Sequence, residues 1–182
     1  MNIEETDLPG VVVVRSPVFA DSRGFFTEVF HHDWFTKLSL PTSFAQDSHS
    51  HSVRNVIRGL HYQLENPPGK LVRPTSGVIY DVAVDLRRSS SNFGKWTGVT
   101  LSAGDGRQLW IPPGFAHGFL VLSEAADVTY KCTTVYHPES NRSIRWDDHD
   151  IGVEWPLDPG VNPILSDKDA TASAFAAEAV FE

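Results

Sequence analysis

Arg58-Gly59-Leu60-His61-Tyr62-Gln63 sets a histidine inside a short apolar run. A histidine exchanges its proton near neutral pH, and an arginine grips an anion through a planar fork of donors. The run has strand character. On a regular pleat, residues three apart point to opposite faces, so Arg58 and His61 are expected on opposite sides of the strand. Three roles are open to His61: general base, metal ligand or core residue. Lys70 follows closely, after a Pro-Pro-Gly turn, and Arg73 adds positive charge. Asp81 and Asp85, on the next strand-like run, offer carboxylates to pair with an imidazole. A base, a cation and arginines meeting at the mouth of a barrel suit proton abstraction beside a carbonyl. The base takes the proton, and the cation stabilises the enolate oxygen.

Metal binding competes for the same histidines. His49-Ser50-His51 puts two rings on one face if that segment is a strand, and His117 in Gly114–Phe119 is a distant third candidate. Two histidines and a carboxylate can hold iron or a similar ion. The segment Gln46–Arg54 is polar, however, and reads as a loop with solvated histidines. A further cluster, Asp21-Ser22-Arg23-Gly24-Phe25-Phe26-Thr27-Glu28, combines an arginine, a tight turn and aromatics. Arginine binds a diphosphate bidentately. No Gly-x-Gly-x-x-Gly or Gly-Lys-Ser loop occurs, so a nucleotide must be held by side chains on a sheet. The bland alternative is a surface turn anchored by a core phenylalanine.

The elements that must position these groups are short strands. Runs at Val11–Arg15, Gly24–Phe30, Val56–Gln63, Gly77–Leu86, Trp96–Leu101, Gln108–Ile111, Phe119–Leu122 and Asp127–Val135 alternate with turns rich in Gly, Pro, Asn and Ser. That spacing predicts an antiparallel sandwich or barrel. Helices are expected at His32–Leu38 and, capped by Ser166 or Asp167, at Lys168–Val180. The stretch Pro156–Pro163 is read as carrying the tail back onto the barrel, which makes 1–182 one domain.

The totals agree with such a fold. The chain has 182 residues, 41% hydrophobic and 11% aromatic, enough for one sizeable core. The net charge of −8 argues against general nucleic-acid binding but leaves room for a small anion beside local arginines. The longest apolar run, Val11–Val14, is far short of a membrane span. An acidic N-terminus without a basic signal region points to the cytoplasm. Cys132 is the single cysteine, so an intrachain disulfide and a cysteine-based zinc site are excluded; it is read as a buried, inert thiol.

These segments, in their order and spacing, resemble the dTDP-4-dehydrorhamnose 3,5-epimerase family along nearly the whole chain. The matching blocks include Asp21–Phe26, Phe44–Asp47, Arg58–Gln63, Lys70–Arg73, Asp81–Arg87, Phe93–Trp96, Gln108–Pro112, Gly114–Phe119, Tyr130-Lys131, Trp155-Pro156 and Leu165–Asp169. The resemblance implies an all-β cupin jelly roll (a double-stranded β-helix), with short peripheral helices and a C-terminal helix. It implies a homodimer that exchanges its N-terminal strand and needs no metal or organic cofactor. His61 is then the general base at C3 and C5 of a 4-keto sugar, Asp169 its orienting carboxylate, Tyr130 the acid and Lys70 the stabiliser of the enolate. Arg23, Phe26, Glu28, Gln46 and Arg58 match nucleotide-binding positions, with Arg23 reaching into the partner subunit. His117 and Tyr136 match further substrate-contacting positions. Asp81 and Asp85 become structural or supporting groups. Ser48 stands where the family usually has asparagine. It keeps a donor and an acceptor but is shorter, so its contact is expected to be weaker or bridged by water. Related readings are inversion at C3 or C5 alone, a metal-dependent cupin enzyme, and a sugar-nucleotide binding module without catalysis.

Overall fold

The computed structural model describes residues 1–182. Its strands are β1 (Asn2–Glu5), β2 (Val12–Arg15), β3 (Val18–Asp21), β4 (Gly24–Thr27), β5 (Gln46–Val53), β6 (Ile57–Gln63) and β7 (Lys70–Ser76). They continue with β8 (Val78–Asp85), β9 (Trp96–Ser102), β10 (Arg107–Ile111), β11 (Phe115–Val121), β12 (Ala125–Cys132) and β13 (Asn141–Ser143). Two short helices, α1 (His32–Lys37) and α2 (Asp167–Ala170), complete the set. Six strands form one sheet in the order β1-β2-β10-β7-β12-β5, and five form another in the order β13-β6-β11-β8-β9. All named strand pairs are antiparallel.

The two sheets face each other across a core that includes Val13, Val72, Ile79, Ala83, Leu101, Leu109, Phe119 and Val128. Each sheet also covers its outer face. Leu60, Tyr62, Val82, Val84 and Ala116 pack under Trp155, Phe175, Val180 and Phe181. Val12, Val14, Leu71 and Trp110 pack under Phe35 of α1 and Leu40. Central strands covered on both faces lose the polar alternation of a half-buried strand, which is why all seven residues of β11 are buried. No helix is long and apolar enough to cross a membrane.

Three expectations change. The segment Gln46–Arg54 is not a loop: Gln46–Val53 is β5, paired in full register with β12 from Gln46↔Cys132 to Val53↔Ala125. Its strand signal is the alternation of Ser48, Ser50 and Ser52, turned inward, with Asp47, His49 and His51, which are exposed. Small polar residues face inward because that end of the sandwich holds a cavity rather than apolar core.

The C-terminal helix is far shorter than expected. Ser166 caps it as anticipated, accepting from the Asp169 N–H, but α2 ends at Ala170. The alanine-rich remainder runs largely extended, apart from one 3-10 turn at Phe175–Ala177. Its backbone bonds to the sheet: Arg145 N–H donates to Ser173, Phe181 N–H to Leu86, and Arg88 N–H to Phe181. A short isolated helix is marginal in water, and these sheet bonds plus the packing of Phe175, Val180 and Phe181 outweigh alanine's helical preference.

The third change is on β6. His61 lies opposite His117 and Arg58 opposite Phe119, so three steps on β6 match two on β11. This bulge restores the pleat, and Arg58 and His61 face the same side. Gly59 makes it, with φ +137, and a Cβ there would lie 2.5 Å from the Gly118 Cα.

Candidate active site

At one end of the sandwich the apolar core gives way to polar side chains. Lys70 is one pleat beyond core residue Val72 on β7, and Tyr130 and Cys132 follow Val128 on β12. His61 and His117 lie opposite each other on β6 and β11. A cavity of about 290 Å³ is lined by Ser48, His49, Ser50, Arg58, His61, Lys70, His117, Phe119, Tyr130 and Cys132. A second space of about 180 Å³ shares His61, Lys70 and Cys132 and opens past Gln46 and Tyr136. The five-stranded sheet thus supplies Arg58, His61 and His117, and the six-stranded sheet supplies Lys70, Tyr130, Ser48 and Ser50.

His61 Nε2 meets Asp169 Oδ1 at 2.5 Å. An ionised carboxylate only accepts, so Nε2 carries the proton and Nδ1 keeps its lone pair. Helix α2, short as it is, exists at the point where Asp169 must turn inward. Burial pushes the Asp169 carboxyl up, but bonds from His61, Ser166 and the Gly59 backbone together hold it below its ordinary range. Tyr130 OH shares a 2.7 Å hydrogen bond with Ser50 Oγ. Burial pushes the phenol well up, so it holds its proton at neutral pH. Lys70 Nζ donates to the His61 carbonyl at 3.3 Å. Burial pulls the ammonium pKa down, opposed by the charges of Cys132 and Asp81. Arg58 Nε donates to Ser52 Oγ at 2.9 Å, which holds its guanidinium at the cavity rim.

Gln46 ties β5 to the segment after β12. Its Oε1 accepts the Tyr136 N–H at 2.8 Å and its Nε2 donates to Ser48 Oγ at 2.9 Å. Tyr136 is exposed at the rim. His61, Asp169, Lys70, Tyr130, Gln46, Ser48, Arg58, His117 and Tyr136 are therefore brought together. Arg23, Phe26 and Glu28 are not. They belong to the β3–β4 hairpin and the residue that follows it, away from the cavity. Arg23 pairs with Asp21, and Phe26 is 64% exposed beside Phe19 at 62%.

Two site residues escape a reading of spacing. Ser50 steers the Tyr130 hydroxyl, and its signal was the serine alternation of β5. Asp81, weighed as a partner for His61, instead pairs with His117 at 2.5 Å. Asp85 is elsewhere, accepting from Arg87 and Ser90. Cys132 lines the cavity and is only half buried, although burial raises its pKa as expected of an inert thiol. His49 and His51 both reach outward to Asp127, at 3.0 and 3.1 Å. No group of three or more His, Cys, Asp or Glu side chains is arranged to hold a metal ion.

Comparison with known proteins follows the same line. The family model described as dTDP-4-dehydrorhamnose 3,5-epimerase matches residues 5–177. The chain is 52% identical over 171 residues to the Escherichia coli dTDP-4-dehydrorhamnose 3,5-epimerase, covering 93% of this chain and 91% of that one. It is 51% identical over 176 residues to the Neisseria gonorrhoeae enzyme of the same name, and there 97% of this chain spans about half, 53%, of the relative. A solved dTDP-6-deoxy-D-glucose-3,5-epimerase of Legionella pneumophila, in complex with dTDP-4-keto-L-rhamnose, superposes with a TM-score of 0.91 at 45% identity, covering 97% of this chain and 93% of that one.

Proposed function

The chain belongs to the dTDP-4-dehydrorhamnose 3,5-epimerase family of isomerases, and on that premise we propose that it converts dTDP-4-dehydro-6-deoxy-D-glucose to dTDP-4-dehydro-L-rhamnose by inverting C3 and C5. The observation that carries this reading is the origin of the base and the acid on facing sheets. His61 stands on one wall of the cavity and Tyr130 on the other. A keto sugar held between them loses a proton from one face, and the planar enolate that results is reprotonated on the other, which is inversion.

In this mechanism the C4 ketone acidifies the C–H bonds at C3 and C5. His61 Nδ1 takes a proton, and the electron pair of that C–H bond moves onto the C4 oxygen. The Lys70 ammonium stabilises the oxyanion. Tyr130 then delivers its proton to the opposite face of the same carbon. His61 returns its proton to solvent, Tyr130 regains one, and the second carbon follows. Asp169 holds the His61 ring in the tautomer that leaves Nδ1 free. Each acid or base group contributes about 10²–10⁴-fold to such steps.

Arg58 binds the diphosphate at the rim. Gln46, Ser48 and Tyr136 hold the nucleoside end, and His117 contacts the sugar. Arg23, Phe26 and Glu28 act from the partner of a homodimer. Their distance from the cavity within one chain supports that assignment, as does the aromatic surface of the hairpin. A cytoplasmic setting, with the nucleotide sugar as a free substrate, belongs to the same proposal.

The test is isotope wash-in. Purified protein with dTDP-4-keto-6-deoxyglucose in heavy water should incorporate deuterium at both C3 and C5. Product NMR separates full inversion from inversion at one carbon. No exchange at either carbon with folded protein would overturn the proposal.

A further inference from the structure

Asp81 is wholly buried, and nothing in the proposed chemistry uses it. It lies on β8 opposite Phe119, one pleat along from the pair His117↔Ala83, so it meets His117 diagonally across the interior face. Its Oδ1 accepts a hydrogen bond from His117 Nε2 at 2.5 Å. Its Oδ2 is sealed from solvent and has no partner. A buried carboxylate is costly unless it is paired, and within the chain the only side chain that pairs with Asp81 is His117. Its charge acts on three cavity groups, raising the pKa values of Lys70, His117 and Tyr130.

We propose that Asp81 is a positioning residue that sets the His117 tautomer. With the Nε2 proton committed to Asp81, His117 Nδ1 has no partner within the chain and turns a lone pair to the cavity. His117 is therefore an acceptor, suited to a sugar hydroxyl and unsuited to the enolate oxygen. The enolate is left to Lys70. The two histidines, directly opposite each other, carry matched carboxylates with different purposes: Asp169 frees a base, and Asp81 frees an acceptor. Burial lowers the His117 pKa despite Asp81, which keeps the ring neutral in this role. The charged or titratable groups that line the cavity with His117 are His49 on β5, His61 and Arg58 on β6, Lys70 on β7, and Tyr130 and Cys132 on β12.

This inference rests on the proposed epimerase reading for its kinetic consequence but not for its structural one. Imidazole nitrogen NMR on the wild-type protein reads the tautomer without substrate. The expected result is a protonated Nε2 and a bare Nδ1 at His117; the reverse overturns the proposal whether or not any variant folds. Asp81→Asn supplies an amide donor to Nε2 and should flip the ring, placing a proton on Nδ1. Its kcat should fall about 10–100-fold, the range for losing a buried hydrogen bond to substrate. The alkaline limb of its kcat/KM profile should move to lower pH, because Lys70 loses a charge that holds its pKa up. An Asp81→Asn protein that melts lower but keeps the tautomer, kcat and pH limb would show a purely structural role and overturn the proposal. Wild-type protein that fails to exchange deuterium would instead overturn the epimerase reading, with the tautomer result still deciding the role of Asp81.

Discussion

His61 and Asp169 are separated by more than a hundred positions in the chain but by 2.5 Å in space, and the proposed reaction depends on that contact. Asp169→Asn keeps the volume but offers an amide donor to Nε2, which pushes the proton to Nδ1 and removes the base. Deuterium exchange at C3 and C5 should fall by about 10²–10⁴-fold, with circular dichroism unchanged. Tyr130→Phe tests the acid. The hydroxyl bonds only to Ser50, so its loss should cost about 1 kcal/mol of stability while slowing inversion about 10²–10⁴-fold. Comparing chemical melts with product NMR separates the two effects. The identities of these groups were legible in the sequence. Spacing alone left Asp81 and Asp85 as rivals to Asp169, and only the family resemblance preferred the distant residue. The pairing of Asp81 with His117 was legible by neither route, because a diagonal contact across two strands has no sequence period.

At the scale of the element, Gly59 decides whether Arg58 and His61 share a cavity. A regular strand would have sent them to opposite faces. Gly59→Ala brings a Cβ to 2.5 Å from the Gly118 Cα at a backbone angle that side chains rarely adopt. The strand must either shift or lose the bulge, at a cost of about 1–3 kcal/mol by analogy with overpacked cores. We expect a lower denaturant midpoint together with a rise in KM, since Arg58 turns from the rim. A variant with wild-type KM would show that the bulge does not set the direction of Arg58. The C-terminal tail makes the complementary point. Alanine content predicted a helix over Lys168–Val180, but an exposed sheet face and free backbone groups at Leu86 and Arg88 drew the chain into extended contact. Propensity is a local term of a few tenths of a kcal/mol per residue, and sheet packing readily exceeds it.

At the scale of the whole molecule, the β3–β4 hairpin and the neutral burial of His117 carry the remaining predictions. If Arg23 serves the partner's cavity, Arg23→Ala and His61→Ala proteins are each inactive, but mixed dimers contain one intact cavity. Activity regained on mixing and subunit exchange supports the exchange, and its absence argues for Arg23 acting within its own chain. Acid should also weaken the fold. Burial depresses the His117 pKa below its ordinary value of 6.5, so below that pH the unfolded chain binds a proton that the native chain resists. The Asp169 contribution, present above the unfolded carboxylate pKa, is lost at still lower pH as its depressed folded value is crossed. Melting temperature should therefore begin to drop as the pH falls from 6.5, and His117→Gln should flatten that first part of the curve. The sequence by itself determined the strand-rich class, through short β-branched and aromatic runs between turns, and the chemical types His61, Lys70, Tyr130 and Asp169, through their place in ordered motifs. These are properties of local pattern. The tertiary structure alone decided that β5 is a strand, that three steps on β6 turn Arg58 and His61 the same way, that the tail is extended, and that Asp81 belongs to His117. Each depends on what a distant strand offers across the sheet: its backbone partners, its available space and its charge.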